Sequence, residues 1–274
     1  MKKYQASTVV KASVLITYIG MIMVNALANI IPFNGMNTGQ VSDAYPNLFA
    51  PTGLTFAIWG IIYLLLACYT VYQLGFLQKD KNTIKSDLLN KVGILFSISS
   101  LANMIWIFSW HYRILPLSML LMLVILLCLI FIVTLIKREK LTFTEKILVR
   151  IPFSIYFGWI TVATIANATA LLVSLNWNRF GISEQGWTIL ILIVGILISI
   201  ITTLKNKDVA YGIVILWAYL GILIKHQSKD GFASQYPMVI LTVTACMILL
   251  IITLFTILTK AILNKNHNTV KTRN

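Results

Sequence analysis

Eight apolar runs, each long enough to cross a lipid bilayer, follow one another along this chain of 274 residues. A membrane-spanning helix needs about 20 predominantly apolar residues, with a range of about 17 to 25. Open strands are excluded because every unpaired backbone group would be costly in lipid. We therefore predict an all-α fold, a polytopic membrane helical bundle of about eight transmembrane helices. The predicted spans are Ala12–Ile31, Leu54–Leu74, Val92–Trp110, Ile114–Ile136, Ile147–Val173, Trp187–Leu204, Val209–Ile224 and Met238–Ile262.

The composition favours a membrane protein over a soluble one. Hydrophobic residues make up 58% of the chain and charged residues 11%, whereas soluble domains carry about 25% charged residues. A soluble core of this size could not bury so much apolar surface. The cysteines Cys68, Cys128 and Cys246 stand singly in apolar runs and form no CxxC pair. We interpret them as small buried hydrophobic residues and predict neither a metal site nor a disulfide.

The net charge of +14 indicates orientation in a membrane rather than nucleic-acid binding. With the N-terminus in the cytoplasm and the spans alternating, 18 of the 22 Lys and Arg residues fall on the inner side. This excess follows the positive-inside rule, and it requires an even number of spans because both termini are basic. We predict a multi-pass protein of the cell membrane with both termini cytoplasmic, in contact with the lipid bilayer and with no nucleic acid. The four outer cations are Arg113, Arg179, Lys225 and Lys229.

Ionisable side chains are almost absent from the apolar runs. All eight acidic residues and all three histidines lie in predicted loops or at helix ends, whereas proton paths need such groups at membrane depth. No HExxH, GxSxG or phosphate-binding loop is present. The sequence therefore predicts no catalytic residue and no cofactor. The compact polar group His111, Tyr112 and Arg113 is interpreted as an interfacial anchor.

The connection between the first and second spans is rich in Gly, Asn and Pro, which favour turns. It carries no Lys or Arg and a single acid, Asp43, and Pro51 lies near its end. Two interpretations remain open. The loop is either a plain extracellular turn or a lid over the bundle, since loops longer than about 12 residues are often functional. Asp43 and Pro51 are the candidate lid residues.

Trp, Tyr and Asn recur at helical spacing on three of the predicted helices. Residues three, four, seven or eight apart share a helix face, so each set lies on one side of its helix. With the predicted topology, most of these residues fall in the outer half of the bundle. The sets are Phe56, Trp59 and Tyr63 on the second helix, Asn103, Trp106 and Trp110 on the third, and Trp159, Ala163 and Asn167 on the fifth.

These sets have two interpretations. One is an interfacial aromatic belt, which fits Trp110, Tyr112, Trp177 and Trp187, since each lies near the end of a span. The alternative is an aromatic-lined cavity. Asn103 and Asn167 favour the cavity, because an amide inside a membrane must find a hydrogen-bond partner on another helix or on a ligand.

The three sets resemble the motifs of the tryptophan-rich sensory protein/translocator protein (TspO/MBR) family, a five-helix membrane bundle. In that family a proline-rich loop precedes W-x3-Y on the second helix, the third helix carries L-N-x-x-W, and the fifth carries W-x3-A-x3-N. The fifth-helix pattern matches fully, and the order of the helices agrees over residues 10–180. The matching residues are Pro51, Trp59, Tyr63, Asn103, Trp106, Trp159, Ala163 and Asn167.

The chain departs from the family pattern in several respects, which include Ala57 in place of a proline and a displaced Pro-Tyr pair near Pro152 and Tyr156. Ala102 replaces the Leu of the third-helix motif, the paired prolines are reduced to Pro51, and the last three helices have no counterpart in the minimal family. We therefore predict two parts. Residues 1–180 form a TspO/MBR-like five-helix membrane domain, and residues 181–274 form a three-helix extension with a basic cytoplasmic tail.

The resemblance implies a receptor or sensor that binds a planar hydrophobic ligand, either a tetrapyrrole or a sterol-like molecule. Indole rings stack well on a planar macrocycle, which agrees with this ligand class. Two other functions remain open: a transporter of a small organic solute, and an enzyme that degrades porphyrin through Trp radicals. The resemblance and the small-residue pair Ala166-x3-Ala170 also imply a homodimer. The implied ligand-binding residues are Trp59, Tyr63, Asn103, Trp106, Trp159, Ala163 and Asn167.

Overall fold

The computed structural model describes the backbone of residues 5–78 and 84–271, and the side chains of these residues up to 263. Within these ranges, eight helices are long and apolar enough to cross a membrane, and no strand is present. The predicted all-α polytopic bundle is confirmed. The helices are α1 (Thr8–Ile30), α2 (Gly53–Leu74), α3 (Ser86–His111), α4 (Leu115–Lys137), α5 (Phe143–Ser174), α6 (Glu184–Asn206), α7 (Val209–Gln227) and α8 (Pro237–Leu263).

The ends of the helices follow local sequence signals. Ser7 caps α1 by accepting a hydrogen bond from the backbone of Val10 at 3.3 Å, as Ser does at many helix N-termini. Gly75 ends α2 with a φ of +101°, a left-handed conformation that glycine adopts without steric cost. Asp208 caps α7 and also accepts a hydrogen bond from Ser154 on α5 at 2.5 Å. This carboxylate therefore joins two helices at their ends.

The first five helices form a closed ring. α1 contacts α2 and α3, α3 contacts α4, α4 contacts α5, and α5 returns to α2. The approach of α3 to α1 is close at Gly93, where a Cβ would lie 2.5 Å from Cγ1 of Val10. The small side chain is therefore what allows the two backbones to approach, as at many helix contacts in membranes.

The last three helices pack onto one side of this ring. α7 contacts α5, and α6 and α8 contact α7 and each other. Gly158 on α5 permits the contact, because a Cβ there would lie 2.9 Å from the carbonyl oxygen of Tyr211. The predicted division of the chain at residue 180 stays a prediction.

The ends of the helices define two sides of the bundle. On one side lie the loops 112–114, 175–183 and 228–236 together with residues 31–52, which we call the lid loop; we call this the lid side. On the opposite side, the basic side, Arg150 donates to the backbone carbonyl of Asn206 at 3.0 Å.

Some of the inner cations predicted from the sequence lie outside the described residues. They are Lys2, Lys3, Lys79, Lys81 and Arg273.

α7 holds the lid loop and the first turn of α2 in place. Each contact joins residues far apart in sequence, so the three-helix extension fixes the cover of the five-helix ring. The contacts are the Thr52 amide to the Gly221 carbonyl at 3.2 Å, Trp217 Nε1 to the Thr55 carbonyl at 3.0 Å, His226 Nε2 to the Leu48 carbonyl at 2.9 Å, and the Lys225–Asp43 ion pair at 2.7 Å.

Gly221 is a point where α7 has no room for a side chain. A Cβ on this residue would overlap Oγ1 of Thr55. We expect Gly221→Ala to lower the thermal midpoint of the detergent-purified protein by several degrees. Overpacking costs about 1–3 kcal/mol, and 1 kcal/mol corresponds to about 2–4 °C in a chain of this size.

The matched control is Gly60→Ala on α2, because no heavy atom lies within 4 Å of a Cβ at that position. Adding Thr55→Ala to Gly221→Ala should restore part of the lost stability, since the overlapping hydroxyl is then absent. Strictly additive losses in this double-mutant cycle would show that the overlap is not the cause.

Candidate ligand-binding site

Trp59 lies at the centre of a cluster of aromatic rings on the lid side of the five-helix ring. Its ring stacks on Tyr63 with a centroid distance of 5.4 Å and lies edge-on to Trp159 at 6.2 Å. Trp106 approaches from α3 at 6.2 Å and Tyr156 from α5 at 5.9 Å. We call these five residues the aromatic core. The three helix faces singled out from the sequence meet here.

A small cavity of about 30 Å³ adjoins the aromatic core. A buried water molecule needs about 10–15 Å³ of such space, so this cavity has room for two or three waters and none for a macrocycle. The aromatic rings fill most of the volume in which a ligand was expected. Of the residues predicted from the sequence, those that line this cavity are Pro51, Trp59, Trp106, Trp159, Ala163 and Asn167.

A larger cavity of about 490 Å³ lies between α1, the lid loop and the start of α2. Thr38, Phe56 and Trp59 line both cavities and so form the partition between them. The predicted residues Tyr63 and Asp43 line only the larger cavity. Its volume lies within the range of about 300–1,000 Å³ that is typical of small-molecule sites.

Asn103 lines neither of these two cavities. It is fully buried, and its Oδ1 accepts a hydrogen bond of 2.7 Å from Nδ2 of Asn25 on α1. Asn25 lines the larger cavity together with Asn29, one turn further along the helix. The sequence-based prediction missed both amides of α1. Two Asn residues four positions apart in an apolar run are nevertheless a detectable signal.

Some polar atoms around the aromatic core have no hydrogen-bond partner among the described residues. They include the hydroxyl of Tyr63, the indole Nε1 of Trp106 and Trp159, and Oδ1 of Asn167. Asn167 uses its Nδ2 to donate to Ser118 at 2.7 Å, so only its oxygen remains. A buried polar group without a partner costs about 1–3 kcal/mol. These groups can therefore gain from a polar atom of a ligand.

The lid loop is fixed to α3 as well as to α7. Trp110 donates from Nε1 to the carbonyl of Thr38 at 3.2 Å, and His111 Nε2 lies 3.2 Å from Oγ1 of Thr38. The interpretation of His111 as an interfacial anchor is wrong, because its side chain is buried and its Nδ1 lies 3.2 Å from the carbonyl of Phe33. Tyr112, in contrast, is exposed. His111 therefore joins the lid loop to the bundle.

The small-residue pair on α5 lies inside the protomer. Ala166 lines the small cavity, and Ala170 is buried. A homodimer would therefore have to use other faces of the bundle.

The chemistry available at the site is stacking and hydrogen bonding. Asp43 is the one charged side chain among the described residues that line the larger cavity, and its carboxylate pairs with Lys225 at 2.7 Å. Among the residues that the structure describes, no group of three His, Cys, Asp or Glu side chains could hold a metal ion. The site therefore offers apolar faces with a few placed amides and indole N–H groups, the usual composition of a small-molecule pocket.

The contribution of the Asn25–Asn103 hydrogen bond to the stability of the protein can be tested by substitution. We expect Asn25→Leu to destabilise the protein by about 1–2 kcal/mol, because it removes an interhelical hydrogen bond and leaves Oδ1 of Asn103 unpaired. The double variant Asn25→Leu/Asn103→Leu should be more stable than the single one, since no polar atom of this pair is then left buried. Thermal unfolding in detergent measures both changes, and a double variant that is less stable would contradict this account.

A family model of TSPO-like proteins matches residues 11–256 of the chain. The match runs from α1 into α8, and so includes the three helices beyond residue 180. No curated protein and no solved structure matches the chain. With its eight apolar helices, the chain is a multi-pass membrane protein that belongs to the TSPO-like protein family.

Proposed function

We propose that this protein is a membrane receptor or sensor that binds a planar hydrophobic ligand, such as a tetrapyrrole or a sterol-like molecule, on the lid side of the five-helix ring. The observation that carries the proposal is the position of Trp59. Its ring belongs both to the wall of the cavity of about 490 Å³ and to the aromatic core. A ligand in this cavity would lie against an indole that four other rings hold in place.

The size of the two cavities indicates where the ligand binds first. A flat macrocycle can enter the larger cavity, whose exposed rim includes Asn29, Gln40 and Asp43. There it would stack on aromatic faces, an interaction worth about 0.5–1.5 kcal/mol beyond the area buried. Deeper binding requires Phe56 and Trp59 to move, because they separate the larger cavity from the small one.

Movement of this partition would provide a sensory output. Phe56 lies edge-on to Trp159 at 5.7 Å and follows the turn that α7 contacts through Thr55. In the closed arrangement Phe56 and Trp59 separate the two cavities, and in an open arrangement they would have moved aside. A ligand that binds the open arrangement more tightly than the closed one shifts the population towards the open one. This change would reach the three-helix extension through the hydrogen bonds that Trp217 and Gly221 of α7 form with Thr55 and Thr52.

The hydroxyl groups of α6 and α8 favour a receptor over a transporter. A path for a polar solute through the extension would need hydroxyls that are free to contact it. Four of these hydroxyls instead bond to a backbone carbonyl of their own helix, whereas Thr202 interacts with the hydroxyl of Tyr211. The bonds are Ser199 to Gly195 at 2.7 Å, Thr203 to Ser199 at 2.7 Å, Thr242 to Met238 at 2.8 Å and Thr244 to Ile240 at 2.8 Å.

Ligand binding rather than turnover suits the residues of the site. General acid–base catalysis needs a titratable group within hydrogen-bond reach of the reacting atom. The described residues that line the small cavity include no carboxylate or imidazole, and the carboxylate of Asp43 in the larger cavity is paired with Lys225 at 2.7 Å. Mass spectrometry that recovers only intact porphyrin after incubation in light with oxygen would support this assignment.

We expect porphyrin added to the detergent-purified protein to quench Trp fluorescence in a saturable manner. Trp59→Phe should weaken binding by about two- to tenfold, because the smaller ring loses part of the stacking area. Trp159→Phe should have a similar effect, since it also removes an indole N–H. Trp187→Phe is the control, because Trp187 lines neither cavity of this site. Equal affinity in all four proteins would refute the assignment of the ligand to this site.

The distribution of Lys and Arg leads us to propose that the protein lies in the cell membrane with its lid side outside and both termini cytoplasmic. A fluorescent protein fused after residue 274 should therefore fold and fluoresce in a bacterial host, whereas alkaline phosphatase at that position should be inactive. Insertion of phosphatase after Lys229, on the lid side, should give the opposite result. Active phosphatase at the C-terminus would place the lid loop in the cytoplasm.

A further inference from the structure

A third cavity on the lid side lies away from the aromatic core. It has a volume of about 350 Å³ and lies between the end of α5, the start of α6 and the lid-loop residues Pro46 and Asn47. Its volume falls in the range of small-molecule sites. Its charged and aromatic lining residues are Trp177, Arg179, Glu184 and Trp187, which no part of the proposed function uses.

Both charges of this cavity lack a protein partner. Arg179 Nε is buried and has no hydrogen-bond acceptor among the described residues. Within the same part of the chain, the ion pairs are Lys91–Asp87 and Lys225–Asp43, so neither Arg179 nor Glu184 forms one. A guanidinium that faces a cavity is well suited to the oxygen atoms of a phosphate.

The aromatic rings that line the cavity pack edge-to-face on one another, and the indole faces that remain towards the cavity can contact a cation. The rings of Trp177 and Trp187 lie 4.7 Å apart at 71° to each other, and Phe180 meets Trp177 at 5.1 Å and 86°. An indole face attracts an ammonium group that lies within about 6 Å of the ring centre, and Trp is the side chain best suited to this contact. Glu184 adds a negative charge to the same wall.

The surroundings of the cavity indicate a ligand from the membrane. Leu175, Phe180 and Ile182 lie in the same loop and are exposed, Phe180 by 79%. Apolar side chains that are exposed at the end of a span contact lipid, and Trp residues at this level anchor the protein at the headgroups. A molecule here would have its polar end at the cavity and its apolar end in the bilayer.

We propose that this cavity binds the zwitterionic headgroup of a phospholipid. The phosphate binds Arg179, and the ammonium group lies against Trp177 and Trp187 with Glu184 as its counter-charge. The shared chemistry is a phosphate and an ammonium group a few bonds apart, which a free phosphocholine molecule also carries. The lipid is the assigned source because of the apolar rim.

Native mass spectrometry of the detergent-purified protein tests this assignment. The probes are phosphatidylcholine and phosphatidylglycerol with identical acyl chains, of which only the first has an ammonium group. We expect Arg179→Gln to lower retention of both lipids by about tenfold, because the phosphate contact is common to them. We expect Glu184→Gln and Trp187→Phe to lower retention of phosphatidylcholine alone.

Arg113→Gln is the matched control, because Arg113 is also an arginine of the lid side but is exposed and contacts Met36 instead. Unchanged thermal midpoints and unchanged porphyrin binding in the variants would show that the fold and the first site are intact. Retention equal to that of the control in both Arg179→Gln and Glu184→Gln would overturn the proposal. Free phosphocholine that competes as strongly as the lipid would overturn the assignment to a membrane source.

Discussion

The need to satisfy polar groups in a medium without water governs this structure. The backbone meets it by forming eight helices, since helices bond all their own amides within one segment. Side chains follow the same rule: Thr161 and Thr253 donate to carbonyls of their own helices, and Asn25 pairs with Asn103 across two helices at 2.7 Å. The indole N–H groups of Trp106 and Trp159 in the aromatic core are among the exceptions, because they have no hydrogen-bond partner among the described residues.

The three-helix extension is part of the architecture of the site. α7 contacts α5 at Gly158 and the first turn of α2 at Gly221, and both glycines allow approaches that any larger side chain would prevent. Lys225 and His226 then hold two further points of the lid loop. The cover of the five-helix ring therefore depends on residues more than 150 positions away. A family model that extends to residue 256 is consistent with one structural unit.

The aromatic core and the cavity of about 490 Å³ beside it lie at the two ends of the proposed binding path. Trp59 contacts rings from α2, α3 and α5 and also borders the larger cavity. Any ligand that stacks on it acts on all three helices, because packed side chains transmit small displacements. The third lid-side cavity is chemically different. Arg179 and Glu184 suit a charged headgroup, whereas the site beside Trp59 suits a planar apolar ligand.

The sequence by itself determined the eight spans, their order, and the faces of α2, α3 and α5 that carry Trp59, Trp106 and Trp159. Those features follow from local composition and a repeat of 3.6 residues, which need no knowledge of neighbouring helices. Only the tertiary structure decided how those faces meet. Periodicity could not show that the rings fill the expected cavity, that Asn103 pairs with Asn25, or that Trp217 bonds to Thr55 across 162 positions. Such contacts depend on the distances between helices, and small residues on facing helices set those distances.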